Sequence, residues 1–233
     1  MSHLRLLLRI LYWDFLREMR RRESLANMIL FSVMVLFVAQ FGLGTDKGVA
    51  ASVGPVFFWI AVLFAGTVGL SQTFSSERDG GALVGVVTAP IELGVFYLAK
   101  VMATWLYVMI MEGFALGAYI VLFNYNAWSH LGQLLLVMGV FTLTYLAPGV
   151  VLAAMTSSLR GAGDVLLRIL LFPMMLPMIG LTLSASQTVF SVSLANGAIG
   201  PPIQLKHYFA IGLAFDTIYL SAGFLLFPKV LEE

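Results

Sequence analysis

The chain has 233 residues, of which 60% are hydrophobic and only 11% are charged, with a formal net charge of +1 and a mean hydropathy of +0.96. A soluble domain averages about 45–50% apolar and about 25% charged residues, so this composition indicates an integral membrane protein and excludes a soluble globular one. The absence of cysteine excludes disulfides, thiolate metal sites and thiol redox chemistry carried by this chain.

The N-terminal segment predicts an amphipathic helix over residues 4–22, because apolar residues recur at helical spacing while arginines project from the other side. With Tyr12 and Trp13 beside its basic face, such a helix suits the cytoplasmic headgroup layer. A plain positively charged anchor is the alternative. We expect no cleavable signal, because no small-residue cleavage site follows a short apolar core. The apolar positions are Leu4, Leu8, Leu11, Phe15 and Met19, and the basic ones are Arg9, Arg17 and Arg20.

Six apolar windows follow, each about as long as a membrane crossing requires. They cover residues 25–43, 50–70, 101–123, 131–155, 166–187 and 208–227. The sequence therefore predicts an all-α membrane protein with six transmembrane helices. The expected organisation is an interfacial helix (1–24), a transmembrane domain (25–228) with inner loops at 71–94 and 157–168, and a short tail (229–233).

Lysine and arginine are divided unevenly between the two sides that these windows define. One side carries 11 of the 13 lysines and arginines, and the other carries only Lys47 and Lys206. The side that carries the excess of basic residues is expected to be cytoplasmic. Both termini are therefore predicted to lie inside.

The fifth window is expected to bend, because Pro173 and Pro177 lie four residues apart and each removes a backbone donor. The segment after this window is too polar and too rich in glycine and proline to cross a membrane. We interpret its middle, residues 188–194, as a short interfacial helix or re-entrant piece on the outer side.

Two carboxylates fall inside windows, Glu112 in "VMIMEGFALG" and Asp216 in "GLAFDTIYL". An ionisable residue inside a membrane costs about 2.5–3.5 kcal/mol on insertion scales, so it indicates function or burial at an interface. A proton-coupled carrier would use carboxylates at these positions. Alternatively, the small residues that follow Glu112 favour close helix packing, in which Glu112 serves as a helix contact.

Motifs that indicate an enzyme are absent: the sequence has no phosphate-binding loop, no paired zinc histidines and no nucleophile elbow. We therefore expect a non-catalytic chain. His130 and His207 fall near the outer surface and are candidate haem contacts, with polar anchoring beside Trp128 and Tyr208 as the alternative. No metal site is expected.

The stretch "FSSERDGGALVGVVTAP" lies between the second and third windows. Its serines can cap a short helix whose first turn holds Glu77, the charge that a helix N-terminus prefers. Gly80 and Gly81 permit a sharp bend, and Pro90 ends the apolar run that contains Leu83. An apolar segment on the inner side indicates a protein partner with a groove.

This stretch resembles the inner loop of ABC-2 type permeases, in which the segment is a coupling helix seated in a separate ATPase subunit. The run "GPVFFWIAVLFAGTVGLSQTFSSERDGGALVGVVTAPIELGVFYLAK" is similar to the cytochrome c maturation permease family CcmB, the haem exporter protein B family. So is "SSLRGAGDVLLRILLFPMMLPMIG". The length, the basic segment before the first window and the six windows also fit, so the resemblance covers essentially the whole chain.

The resemblance implies an ABC-2 exporter-like bundle in a bacterial inner membrane, present in two copies per complex and free of nucleic acid. Its implied partners are an ATPase subunit that holds the ATP, a haem-handling membrane protein, a small membrane subunit and a periplasmic haem chaperone. Haem is the implied cargo, and a generic ABC-2 exporter of a lipid or lipid-linked substrate is the alternative. The implied ATPase-coupling residues are Glu77, Arg78, Gly81, Leu83, Pro90, Arg160 and Asp164.

Overall fold

The computed structural model describes residues 3–20, 22–44, 47–74, 92–125, 130–157, 162–194 and 202–232. A helix bonds all its backbone groups internally, which is why apolar runs of this length adopt it in a membrane. The predicted all-α bundle is confirmed. The helices in these residues are α1 (His3–Arg20), α2 (Arg22–Leu43), α3 (Lys47–Gln72), α4 (Leu93–Leu122), α5 (Leu131–Ser157), α6 (Gly163–Leu194) and α7 (Pro202–Glu232).

The predicted crossings correspond to α2–α7. Five of these helices have the length and hydropathy to cross a membrane, and α6 makes a sixth when its two parts, residues 163–176 and 178–187, count as one span. The two parts meet at an angle of 57° around Pro177, which removes one backbone donor. The predicted bend in the fifth window is therefore confirmed.

Residues 188–194 continue α6 instead of forming the separate interfacial or re-entrant piece that we expected. The polar side chains just before them explain this difference, since they bond within the helix. The hydroxyl of Thr182 donates to the Met178 carbonyl at 2.7 Å, and that of Ser184 donates to the Gly180 carbonyl at 2.9 Å. A hydroxyl bonded in this way needs no partner outside the helix, so these polar residues are compatible with an uninterrupted helix.

Beyond the bend, α6 is attached to α3 by a buried hydrogen bond in which the Trp59 indole N–H donates to Ser186 Oγ at 2.6 Å. Replacing Ser186 with alanine leaves this donor without its acceptor. We expect Ser186→Ala to reduce the free energy of unfolding by about 1 kcal/mol, the range of hydrogen bonds between membrane helices. Unfolding in detergent micelles measures the loss. Thr217→Ala, which removes an exposed hydroxyl that bonds within α7, is the control, and equal stability of both variants would contradict the prediction.

Two helices end at residues with a positive φ. Gly44 follows α2 with φ 67°, and its N–H donates to the Gln40 carbonyl at 3.2 Å. Asn124, with φ 48°, follows α4, and the next N–H, that of Tyr125, donates to the Ile120 carbonyl at 3.1 Å. Glycine and asparagine are the residues that tolerate this conformation, so the sequence stops both helices at these points.

The centre of the bundle is α5, since 72% of its apolar window is buried, against 17% in α7 and 22% in α2. Two side chains of α4 donate to backbone carbonyls of α5. The Tyr97 hydroxyl donates to Ala147 at 3.0 Å, and the Trp105 indole donates to Gly139 at 2.8 Å. These bonds fix α4 against the central helix.

The N-terminal helix α1 is present as predicted, but it packs along α4. Its apolar face is partly different from the predicted one: Met19 packs against the core as expected, whereas Leu8 is 53% exposed. Ile10, which does not follow the predicted spacing, packs against the core. The reason is that α4, and not a lipid surface alone, selects the face that α1 buries.

Candidate functional site

One end of the bundle, which we call the base, collects the helix termini that border the two predicted inner loops. The end of α3, the start of α4, the end of α5 and the start of α6 lie there, since consecutive spans run in opposite directions. A small space lined by Ser71, Phe74, Ser157 and Asp164 brings the borders of both loops together. A partner that contacts one inner loop therefore also lies close to the border of the other.

Phe74 is the last described residue before the first inner loop, and it is only 2% exposed. Its ring centroid lies 6.1 Å from that of Phe227 on α7. The ammonium group of Lys100 on α4 lies 5.4 Å from the same centroid, a distance typical of cation–π contacts. The border of the first inner loop is thus held between α4 and α7.

Lys100 is buried at the base and contacts three parts of the chain. Its Nζ lies 3.1 Å from Oδ2 of Asp14 on α1, and it donates to the carbonyl oxygen of Thr73 at 3.3 Å. It also lies 5.5 Å from the ring centroid of Phe96, one turn earlier on α4. A buried ammonium needs such partners because removing a charge from water is costly.

The ion pair borders a cavity of about 20 Å³ that Thr104 and Tyr107 also line. This volume and its polar lining suit a single water molecule. The sequence places Lys100 on the basic inner side and at the end of the run that resembles the ABC-2 inner loop, but it does not single out Asp14. A signal was present, since Asp14 lies four residues after Ile10 and therefore on the face of α1 that packs against the bundle.

Among the residues predicted to couple to an ATPase, the structure describes Asp164. It lies exposed in the first turn of α6, where a negative charge is favourable to the helix dipole. The others lie outside the described residues, and their roles stay predictions: Glu77, Arg78, Gly81, Leu83, Pro90 and Arg160.

The two intramembrane carboxylates are buried, Glu112 at 0% and Asp216 at 4% exposure, and each pairs with a threonine of α5. The hydroxyl of Thr142 donates to Oε1 of Glu112, and that of Thr144 donates to Oδ1 of Asp216. The second oxygen of each carboxylate has no hydrogen-bond partner within the described part of the chain. Both carboxylates therefore join a neighbouring helix to α5, in agreement with the packing interpretation of Glu112.

The two candidate haem contacts lie at the end of the bundle opposite the base. His130 precedes α5 and is half-buried, and its carbonyl accepts a bond from the N–H of Leu134 at 3.0 Å. His207 is exposed near the start of α7, and its ring packs edge-on to that of Tyr208, with the two ring centroids 6.4 Å apart. Over the described ranges, no group of three or more His, Cys, Asp or Glu side chains is arranged to hold a metal.

Comparison with known proteins gives a family match over nearly the whole chain. The model of the family described as "CcmB protein" matches residues 5–222. The chain is 28% identical over 213 residues to heme exporter protein B of Pseudomonas aeruginosa, covering 88% of this chain and 89% of that protein. It is 26% identical over 206 residues to heme exporter protein B of Bradyrhizobium diazoefficiens, covering 84% and 83% of the two chains.

Proposed function

Because the chain belongs to the CcmB protein family, we propose that it is the membrane permease subunit of an ABC-type haem exporter that serves c-type cytochrome biogenesis. The observation that supports this proposal most strongly is the family match across residues 5–222, which reaches from α1 into α7, the last membrane-crossing helix of the described residues. In this role the chain hydrolyses no ATP itself. A separate ATPase subunit binds and hydrolyses the nucleotide, and haem is the cargo of the complex.

The proposed orientation places the base of the bundle in the cytoplasm of a bacterial inner membrane, with both termini inside. The distribution of lysine and arginine supports it, because all but Lys47 and Lys206 fall on the side of the base. His130 and His207 then lie on the periplasmic side as candidate haem contacts. Two copies of the chain would face two ATPase subunits, with a haem-handling membrane protein, a small membrane subunit and a haem chaperone as further partners.

The proposed mechanism is mechanical. Closure of the ATPase pushes on residues 75–91, with Glu77 and Arg78 as the polar attachment and Leu83 as the apolar contact; Gly81 permits the bend, and Pro90 ends the segment. The buried contacts of Phe74 with Phe227 and Lys100 support this route, because they join the border of this segment to α7 and α4. The second inner loop, with Arg160 and Asp164, is pushed at the same time, because its borders lie next to those of the first loop.

Deleting the gene from its host and staining covalently bound haem in the c-type cytochromes tests the proposal. We expect these cytochromes to disappear and to return with the wild-type gene. Normal cytochromes in the deletion strain would contradict a role in cytochrome maturation and would favour a generic ABC-2 exporter of a lipid or lipid-linked substrate.

The same strain tests the ATPase contact. Complementation with Glu77→Ala or Leu83→Ala is expected to give a protein that inserts at wild-type levels but leaves the cytochromes at least about tenfold lower, because ATP hydrolysis is uncoupled from the bundle. Lys229→Ala, which removes an exposed charge at the end of α7, is the matched control and should complement fully. Full activity of both loop variants would contradict the mechanism.

A further inference from the structure

We propose that the Asp14–Lys100 ion pair positions the ATPase-contact segment, residues 75–91, by making α1 and both borders of that segment move as one body. This inference deepens the proposed function and rests on it for the identity of the partner that pushes on the segment. It assigns Asp14 and Lys100 as positioning residues, and it gives α1 a role in the transport cycle beyond membrane anchoring.

The first argument is geometric. One ammonium group, Lys100 Nζ, lies 3.1 Å from Oδ2 of Asp14 on α1 and 3.3 Å from the carbonyl oxygen of Thr73, at the end of α3. Thr73 lies just before residues 75–91, and Lys100 lies on α4, which begins just after them. The single charge therefore links the border before the segment, the helix after it and the N-terminal helix.

The second argument is energetic. Taking two charges out of water offsets most of their attraction, and a buried ion pair often contributes no more stability than well-packed apolar residues. Stability alone therefore does not account for an ion pair at this position. What the pair adds is a defined register, because one ammonium group on α4 holds both the Asp14 carboxylate of α1 and the Thr73 carbonyl at the end of α3, an arrangement that apolar packing would specify less strictly.

The third argument concerns the outer face of α1. Tyr12 and Trp13 are exposed there, at 60% and 59%, together with Arg9 and Arg20. Aromatic and basic residues on one helix face are typical of contact with the headgroup layer. Because α1 rests on the membrane surface and is joined to Lys100, it stiffens the helix ends on both sides of residues 75–91. A force on this segment then moves α3 and α4 and does not only bend the backbone locally.

The test uses the double variant Asp14→Asn/Lys100→Met, which removes both charges while keeping side chains of similar size. No unpaired charge remains buried, so the variant is expected to insert, to bind the ATPase and to unfold at nearly the wild-type denaturant concentration. In the deletion strain we expect it to lower the yield of c-type cytochromes at least about tenfold. Lys206→Met, at an exposed position near the start of α7, is the matched control.

A purely structural ion pair predicts the opposite result. A double variant that unfolds like the wild type and also gives wild-type cytochrome levels would overturn the proposal. A double variant that fails to insert is decided by a second one, Asp14→Leu/Lys100→Met, which also leaves no unpaired charge buried. That variant must insert and still lower the cytochrome yield, and wild-type yield from it would overturn the proposal as well.

A distance measurement separates this inference from the proposed function. The chain contains no cysteine, so Tyr12→Cys and Glu92→Cys, both at exposed positions, can carry a pair of spin labels in nanodiscs. We expect a narrow distance distribution that ATP and the ATPase leave unchanged, and a broad one in the double variant. Identical distributions with and without the ion pair would overturn the inference whatever the cargo is, whereas normal cytochromes after gene deletion would overturn only the proposed function.

Discussion

Replacing Glu112 with alanine is expected to lower the free energy of unfolding by about 2–3 kcal/mol, because it removes a fully buried side chain and leaves a cavity between α4 and α5. The hydroxyl of Thr142 loses its acceptor in the same change. Glu112→Gln keeps both the volume and an oxygen for this hydroxyl, so its loss should stay below about 1 kcal/mol. Denaturant unfolding in detergent micelles measures both variants.

The same position distinguishes the permease from a proton-coupled carrier. If Glu112 and Asp216 serve as helix contacts through Thr142 and Thr144, the variant Glu112→Gln/Asp216→Asn should support nearly wild-type levels of c-type cytochromes. A carrier needs carboxyl groups that bind and release protons, and amides cannot do so. Loss of the cytochromes with the ATPase still bound would therefore contradict the packing role and favour the carrier.

Replacing Gly66 with alanine is expected to cost about 2–3 kcal/mol of unfolding free energy. A Cβ atom at this position would lie 1.9 Å from the hydroxyl oxygen of Tyr145 and 2.9 Å from its Cζ atom. Tyr145 is itself only 3% exposed, so its ring has little room to withdraw, and overpacking of a core has this cost. Unfolding in micelles measures it, with Gly113→Ala as the control, since a Cβ at residue 113 meets nothing within 4 Å.

The cause can be tested by removing the atom that clashes. The Tyr145 hydroxyl has no hydrogen-bond partner in the portion of the chain that is described, so Tyr145→Phe alone should be nearly neutral. Combined with Gly66→Ala, it should recover about 1 kcal/mol of the loss, which a double-mutant cycle reports as a coupling between α3 and α5. Equal free energies of unfolding for Gly66→Ala and Gly113→Ala would contradict the close contact between α3 and α5 at Gly66.

The helices were predictable because each apolar run is long enough to cross a membrane and the chain supplies its own stops. Pro177 bends α6 as its residue type predicts, and Gly44 and Asn124 end two helices with a positive φ that glycine and asparagine tolerate. Residues 188–194 could not be judged in this way. Their helix is uninterrupted, and the hydroxyls just before them bond to carbonyls of the same helix, an arrangement that composition does not reveal.

The contacts at the base depend on which helices become neighbours, and the spacing of residues in one helix does not determine this. Lys100 is typical of a basic residue at the inner end of a span, and only the packing of α1 along α4 places Asp14 beside it. Glu112 was recognisable as an intramembrane carboxylate, whereas its partner Thr142 is one of several threonines in α5. Leu8 was predicted on the buried face of α1, and the position of α4 leaves it exposed.

The two threonines of α5 constrain how this protein can change shape. Thr142 and Thr144 are two positions apart, so they project from nearly opposite sides of one helix, and they hold α4 through Glu112 and α7 through Asp216. Turning α5 about its long axis would break both bonds together. We therefore expect these three helices to move together, with α3 held to α4 through Lys100, and we expect any path to open where α2 and the bent α6 pack against them.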